Sequence, residues 1–294
     1  MLYNNEAMKG ILVFLIITFL HTFSLAQGDN NQGLESELLF NADVMINATE
    51  ASSRIRAATT FNDLFEQYLS KNTIFQDSAA FFKYISILDS PKNEFKLITW
   101  LIKGDREYYD FKGYVVRPNG NITPLIKTEL VSEDLEYSQS NHENWYGCLY
   151  YKMIPNKDTG GYILFGYDPN GLYDNQKIVD HMLVSSNSIN FGAEIFEDKE
   201  NLDTYKNRLV LRYSSDASVT VNYNLDMKMI VHDHLSQVMG FQPGQGPTAI
   251  PDGTYEGYYF KKGKWKYKEK LFNHIYDEAP RPQPVFKDTE DKSK

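Results

Sequence analysis

The sequence predicts an α+β protein, in which an N-terminal helical segment precedes a mainly antiparallel β domain. Two observations lead to this prediction. Between residues 34 and 70, apolar side chains recur at spacings of about three and four, the pattern of one buried helix face. From about residue 85 onward, short runs of Tyr, Phe, Ile, Val and Leu alternate with turn residues. These runs recur about every ten to fifteen residues, which fits a sandwich, a barrel or propeller-like sheets, and the lack of a fixed repeat makes the propeller the weakest choice.

An apolar leader opens the sequence. Residues 10–20 read GILVFLIITFL, a run shorter than the roughly 20 apolar residues that span a bilayer. Ser24 and Ala26 are small, as signal peptidase requires, and they predict a signal peptide over 1–26 with cleavage before Gln27. The short run disfavours the alternative, a transmembrane anchor. We therefore expect an exported protein, periplasmic or secreted, with no membrane span once the signal peptide is removed.

The next segment, residues 27–84, combines a polar linker with helices. The first predicted helix has an apolar face formed by Leu38, Leu39, Ala42, Met45, Ile46 and Ala48. A second helix is predicted to begin after Thr60, with Asp63 in its first turn, where the helix dipole favours a negative charge. Its apolar residues are Phe61, Leu64, Phe65, Tyr68 and Leu69. A third short helical piece is predicted from Ser78 to Tyr84.

The predicted β domain covers residues 85–278. Its clearest strand segments, in chain order, are 85–88, 95–100, 109–116, 122–125, 145–154, 161–167, 208–213 and 218–223. Asn119-Gly120 predicts a hairpin between the third and fourth segments, because both turn positions tolerate positive φ. Two further hairpins are predicted, one pairing the fifth segment with the sixth and one pairing the seventh with the eighth. Alternate prolines between 280 and 284 then predict an extended segment, which leads into a charged tail, over 279–294.

Composition argues against some classes of function. A formal net charge of -9 argues against a surface that binds nucleic acid or an anionic membrane. The single cysteine, Cys148, cannot form an internal disulfide, so we expect the fold to depend on apolar burial and this thiol to be a small buried side chain. The chain contains 21 Tyr and 18 Phe, as many rings as its 39 Asp and Glu side chains, which permits a binding role through exposed aromatics.

Six segments of the β domain are informative through their order along the chain. They are NEFKLITW (93–100), WYGCLYYK (145–152), YILFGYD (162–168), NFG (190–192), MIVHDHL (229–235) and PDGTYEGY (251–258). Taken together, they resemble an uncharacterised family of exported proteins from bacteria of the Bacteroidetes type. The resemblance implies an envelope or secreted location. It implies no activity and no catalytic residue.

His232, Asp233 and His234 are the residues whose spacing best suits a metal. On a strand from Met229 to Leu235, both imidazoles would project from one face, where two histidines can bind one ion. No further ligand lies at a suitable spacing nearby. Hydrogen-bonded packing is therefore the preferred interpretation, a metal site is the alternative, and we expect no cofactor.

Catalytic motifs of the common kinds are absent from the sequence. It contains no Gly-x-Ser-x-Gly, His-Glu-x-x-His or Cys-x-x-Cys pattern. Paired carboxylates remain open as a hypothesis, because glycosidase acids come from distant strands. The candidate acids are Glu143, Asp168, Glu194 and Asp233.

An aromatic surface is the other candidate site. Its candidate residues are Trp145, Tyr146, Tyr255, Tyr258 and Trp265. Such rings could stack on sugars or pack on a protein, whereas strand alternation would place one ring of each adjacent pair in the core. We expect a non-enzymatic accessory protein, monomeric or weakly associating, that binds an envelope protein or a glycan. The alternative is a hydrolase that acts on an envelope polysaccharide or peptide through acidic residues.

Overall fold

The computed structural model describes residues 32–71, 74–75, 79–105, 108–128, 135–156, 160–169, 171–186 and 188–271. The predicted signal peptide and the proline-rich tail lie outside these residues, as does most of the predicted linker. The described chain is mainly β, with a helical segment at its N-terminal end and largely antiparallel sheets. The predicted fold class is therefore confirmed.

Two α-helices and a short 3₁₀ helix come first. The helix α1 covers residues 32–47, α2 covers Ala51–Ser70, and the 3₁₀ helix covers Ala80–Tyr84. The predicted start of the second helix after Thr60 is wrong, because α2 runs through this position. The Thr60 hydroxyl donates to the Arg56 carbonyl (Oγ1···O 3.2 Å), so it bonds within one continuous helix instead of capping a new one.

Sixteen strands follow within the described residues. They are β1 (Ser86–Asp89), β2 (Lys96–Lys103), β3 (Tyr109–Val116), β4 (Ile122–Leu125), β5 (Ser140–Asn141), β6 (Leu149–Pro155), β7 (Tyr162–Asp168), β8 (Asp174–Val184), β9 (Ile189–Phe191), β10 (Phe196–Asp198), β11 (Asn201–Lys206), β12 (Arg208–Ser214), β13 (Val221–Asn224), β14 (Met229–Met239), β15 (Pro247–Lys261) and β16 (Lys264–Lys268).

These strands form three sheets. The first has the order β1-β2-β3-β4, and the second has the order β5-β9-β8-β7-β6, with β12 also paired to β8. The third has the order β11-β10-β16-β15-β14-β13. Among the described strands, paired neighbours are antiparallel apart from β10 and β16, which are parallel.

The pairing of the strands confirms two predicted hairpins and corrects the third. The hairpins β3–β4 and β6–β7 form as predicted. The predicted pairing of β12 with the next strand is wrong, because β12 pairs with β8 and β13 pairs with β14. Arg208 on β12 lies opposite Asp180 on β8, and their side chains form a buried ion pair that a local hairpin would not provide.

The predicted start of the strand β6 is also wrong. The sequence predicts a strand from Trp145, whereas β6 begins at Leu149. Gly147 lies between these positions with φ 85°, a conformation outside the strand region that glycine adopts without steric cost. The chain therefore turns before it enters the sheet.

In the described part of the chain, three apolar clusters form the core between four stacked layers, namely the helices and the three sheets in order. In β2, Trp100 packs with the helices and Leu97 packs toward the second sheet. In β7, Leu164 packs toward the first sheet and Phe165 toward the third. The first and second sheets are thus covered on both faces, which accounts for their nearly continuous apolar runs.

Candidate functional site

A buried polar network anchors the centre of the second sheet. Arg208 and Asp180 are fully buried, and Arg208 Nε lies 3.2 Å from Asp180 Oδ1. The two atoms are not aligned for a hydrogen bond, so charge attraction provides this contact. The Tyr146 hydroxyl donates to Asp180 Oδ2 (2.9 Å), and its ring lies 4.7 Å from the guanidinium carbon. Burial raises the pKa of Tyr146 well above its usual value, and the Asp180 charge adds to this effect. We assign this network a scaffold role.

The two histidines of the predicted metal site have separate partners. His232 is buried, and its Nδ1 lies 3.0 Å from the Asp233 carbonyl oxygen. His234 is 37% exposed, and its Nδ1 lies 2.7 Å from Asp252 Oδ2. The register between β14 and β15 shifts between Asp233 and Leu235, which interrupts the regular alternation of the strand. Within the described part of the chain, no group of three or more His, Cys, Asp or Glu is arranged to hold a metal.

A charged cavity of about 250 Å³ lies between β12 of the second sheet and β14–β15 of the third. We call this cavity the charged cleft, and its charged and strongly polar lining residues are Glu136, Lys199, Lys206, Arg212, His232, Gln237 and Glu256. Glu256 is buried and accepts from the Tyr267 hydroxyl (2.5 Å) and from Lys199 Nζ (3.3 Å). The cleft therefore contains a desolvated carboxylate whose charge is already balanced.

His232 is the uncharged member of the charged cleft. Because Nδ1 faces a carbonyl oxygen, this nitrogen must carry the proton, which leaves Nε2 unprotonated in the neutral ring. Burial lowers the pKa of His232, and the Asp233 carbonyl and the Glu256 carboxylate oppose this effect only partly. The imidazole is accordingly neutral at pH 7.

Lys206 completes the charge balance of the cleft. Its Nζ lies 2.8 Å from Glu136 Oε2 and 3.4 Å from Asp198 Oδ1. Burial alone would lower the pKa of Lys206, but the two carboxylates outweigh it and the pKa is raised. These cleft residues were not among the sites predicted from the sequence. Glu256 offered a signal for this site. It lies two positions before Tyr258 on the same strand, so the two side chains project from the same face.

The predicted aromatic surface is largely core. Trp145, Tyr146, Tyr258 and Trp265 are buried, and Tyr255 alone of the five is exposed, at 40%. Trp145 and Tyr146 belong to the cluster between the first and second sheets, whereas Tyr258 and Trp265 belong to the cluster between the second and third. These five rings therefore do not form a common contact surface, because three stacked sheets place rings in two separate interiors.

A different aromatic site is present at the edge of the third cluster. An apolar cavity of about 520 Å³, here called the aromatic groove, is lined by Ile154, Pro155, Asn156, Tyr223, Leu225, Lys228, Phe260 and Trp265. The rings of Phe260 and Tyr223 pack against Trp265, with centroid distances of 5.2 and 6.3 Å. Leu225 is 78% exposed. The groove has the size and apolar lining of a ligand pocket.

The four candidate acids lie on different elements. Glu143 follows β5, Asp168 ends β7, Glu194 precedes β10, and Asp233 lies on β14, where its Oδ2 accepts from the Thr220 amide (2.6 Å). None of the four lines the charged cleft, whose carboxylates are Glu136 and Glu256. Burial raises the pKa of Asp168 to about 6, against the opposing attraction of Lys127 and Arg212.

The raised pKa of Asp168 makes stability depend on pH. The unfolded value is 3.8 and the folded value is about 6, so folding favours the protonated acid and this advantage is lost as the pH rises through about 6. Asp168→Asn mimics the protonated form. It is expected to raise the free energy of unfolding by about 1 kcal/mol at about pH 7 and to give no gain near pH 4.

Urea unfolding of wild type and the Asp168→Asn variant at both pH values measures this difference. Asp226→Asn, at the exposed turn between β13 and β14, is the matched control and is expected to show no such pH dependence. An Asp168→Asn gain of equal size at both pH values would contradict the assignment.

Cys148 is a free, fully buried thiol, in agreement with the sequence-based expectation. Burial raises its pKa well above the usual value, and the charges of Asp168 and Asp180 act in the same direction. Its Sγ lies near the Tyr167 carbonyl oxygen (3.6 Å). The thiol is therefore protonated at neutral pH and serves packing.

Comparisons with protein-family models, with curated proteins and with solved structures each find no match. Among the described residues, no helix combines the length and the apolar character that a membrane crossing requires. Location and function consequently remain predictions, and the cavities described above are the structural basis for the proposed binding role.

Proposed function

We propose that the chain is an exported, non-enzymatic binding protein of the cell envelope, and that its partner is an envelope protein that inserts an apolar side chain into the aromatic groove. The leader sequence supports export. The observation that carries the binding role is the groove itself, an apolar cavity of about 520 Å³ with three aromatic rings in its wall.

The chemistry of the groove favours a protein over a sugar. Aliphatic residues and rings dominate the lining, and Lys228 is its single charged residue among the described ones. A sugar would find few hydrogen-bond partners for its hydroxyls in such a site, at a cost in free energy. A Leu, Met or aromatic side chain of a partner would instead bury apolar area against Phe260 and Trp265, as anchor residues do at protein interfaces.

Leu225 offers a direct test, because it lines the groove and is mostly exposed. Leu225→Glu would place a charge in the interface, so capture of the partner from the envelope fraction is expected to fall at least about tenfold. The measurement is the amount of each envelope protein retained by immobilised wild type and variant. Circular dichroism and thermal unfolding check that the variant is folded.

Leu202→Glu is the matched control, since Leu202 is 55% exposed on β11 and does not line the groove. It is expected to leave capture unchanged. Equal capture by wild type and Leu225→Glu would refute the groove as the contact surface, and so would an equal loss in both variants.

The hydrolase alternative draws on the charged cleft, where Glu136 and Glu256 line one cavity beside His232. Each carboxylate is already engaged by a lysine, at 2.8 Å and 3.3 Å respectively. Asp168, whose pKa is raised as a general acid requires, does not line this cavity. The charged cleft thus lacks a free acid beside a free base, and binding is the better supported function.

A further inference from the structure

A small polar cavity lies at the β5–β9 edge of the second sheet, apart from both the aromatic groove and the charged cleft. It has a volume of about 200 Å³, and we call it the amide pocket after four of its lining residues, Gln139, Asn141, Asn144 and Asn190. Asn141 and Asn190 lie opposite each other in the register of β5 and β9. Two paired strands and the turn after β5 therefore position the amides.

Two of these amides have their carbonyl oxygens fixed by the backbone. Asn144 Oδ1 accepts from the backbone N–H of Asn141 (2.5 Å), and Asn141 Oδ1 accepts from the backbone N–H of Glu143 (2.8 Å). A backbone N–H can only donate, so these contacts settle which end of each side-chain amide is oxygen. Because the group is planar, each Nδ2 is held in a defined direction, and among the described residues neither Nδ2 donates to the protein.

In the other two side-chain amides, the nitrogen is the atom that bonds to the protein. Gln139 Nε2 donates to Asn207 Oδ1 (3.4 Å), and Asn190 Nδ2 donates to Ser188 Oγ (3.2 Å). Asn207 donates its own Nδ2 to the Tyr137 carbonyl, which confirms that its oxygen faces Gln139. Gln139 Oε1 and Asn190 Oδ1 are left as acceptors. The pocket thus offers two donors and two acceptors.

The buried residue Ser140 lies at the inner side of the amide pocket. It lines the same pocket and is 6% exposed, and its hydroxyl has no hydrogen-bond partner among the described residues. Because this oxygen exposes almost no surface to solvent, the polar side chains that a ligand in the pocket can reach are the four amides. Phe191, which is fully buried in the cluster between the first and second sheets, also borders the pocket.

From this arrangement we infer that the amide pocket binds a neutral hydroxylated ligand, namely a single sugar ring at the end of a glycan. A hydroxyl group both donates and accepts, which matches the mixed set of amide donors and acceptors. Among the residues that the structure describes, no charged side chain lines the pocket, so none of them provides a counter-charge for an acidic or amino sugar. Gln139 and Asn190 are exposed, which leaves the pocket open to solvent.

Asn144→Asp is a nearly isosteric test of this inference. The aspartate retains the oxygen that accepts from the Asn141 amide, but it replaces the Nδ2 donor with a charged acceptor. Asn119→Asp is the matched control, because Asn119 Oδ1 accepts from the Asn121 amide in the β3–β4 turn, outside the pocket. Both variants keep their local turn bond, so both are expected to fold.

The probes are glucose, galactose, mannose and N-acetylglucosamine, each at about 10 mM, with glucuronic acid and glucosamine as charged comparators. Saturation-transfer NMR and calorimetry are expected to show binding of at least one neutral sugar to wild type and Asn119→Asp. Binding to Asn144→Asp is expected to be at least about tenfold weaker. Absence of binding by all four neutral sugars would overturn the inference, and so would unchanged binding by Asn144→Asp or preferential binding of a charged comparator.

The same samples separate this site from the groove. Leu225→Glu is expected to bind the neutral sugar normally, and Asn144→Asp is expected to retain the envelope protein. Failure of one proposal is therefore distinguishable from failure of the other.

Discussion

Replacing Asp180 by alanine is expected to lower the free energy of unfolding by about 3–5 kcal/mol, since it leaves the Arg208 guanidinium buried without its counter-charge. The Tyr146 hydroxyl also loses its acceptor, although its 2.7 Å contact with the Tyr150 hydroxyl remains. Urea unfolding at neutral pH measures the loss. A decrease below about 1 kcal/mol would show that the pair contributes little to the fold.

A double-mutant cycle separates the charge pair from the surrounding packing. The combined change of Asp180→Leu and Arg208→Met removes both charges and keeps much of the buried volume. It is expected to cost less than Asp180→Ala alone, because no uncompensated charge remains in the core. If the double variant loses more stability than Asp180→Leu and Arg208→Met lose in sum, the ion pair is not the stabilising element.

The second large effect concerns the contact between the helices and the first sheet. Trp100 is fully buried on β2, with ring centroids 5.5 and 5.2 Å from those of Phe61 and Phe65 on α2 and 5.8 Å from that of Tyr114 on β3. Trp100→Ala is expected to lower the free energy of unfolding by about 3–5 kcal/mol through lost burial and the cavity left behind. Chemical denaturation followed by circular dichroism measures it.

Two further variants control this measurement. Trp100→Phe is expected to cost only about 1–2 kcal/mol, because the indole Nε1 has no hydrogen-bond partner among the described residues and its removal forfeits no bond. Phe40→Ala, on α1 at 67% exposure, is expected to change stability by less than about 0.5 kcal/mol. A Trp100→Phe loss as large as that of Trp100→Ala would contradict the packing argument.

Little of the candidate sites could be predicted from the sequence. The amide pocket combines residues from 139–144 and 190–192, and its donors and acceptors are set by turn contacts that no motif records. The aromatic groove joins Ile154 to Tyr223 and Trp265, which lie on three different strands. Of the predicted aromatic surface, Trp265 alone reaches the groove. Tyr258 lies instead beside His232 in the charged cleft.

The sequence by itself determined that a helical segment precedes a mainly antiparallel β domain, and it determined two of the three predicted hairpins. These are the hairpins β3–β4 and β6–β7, because their register depends on neighbouring residues and on local turn conformations such as Gly120 at φ 84°. The N-terminal helices are likewise determined by local apolar periodicity.

Only the tertiary structure decided which strands meet over long distances and which faces are covered. The pairing of β12 with β8 brings Arg208 to Asp180, a contact between residues far apart in the chain. Alternation assigns side chains to two faces, but it does not say whether one or both are buried. Because the second sheet lies between two others, Leu164 and Phe165 are both fully buried, and four of the five rings predicted for the surface lie instead in the core.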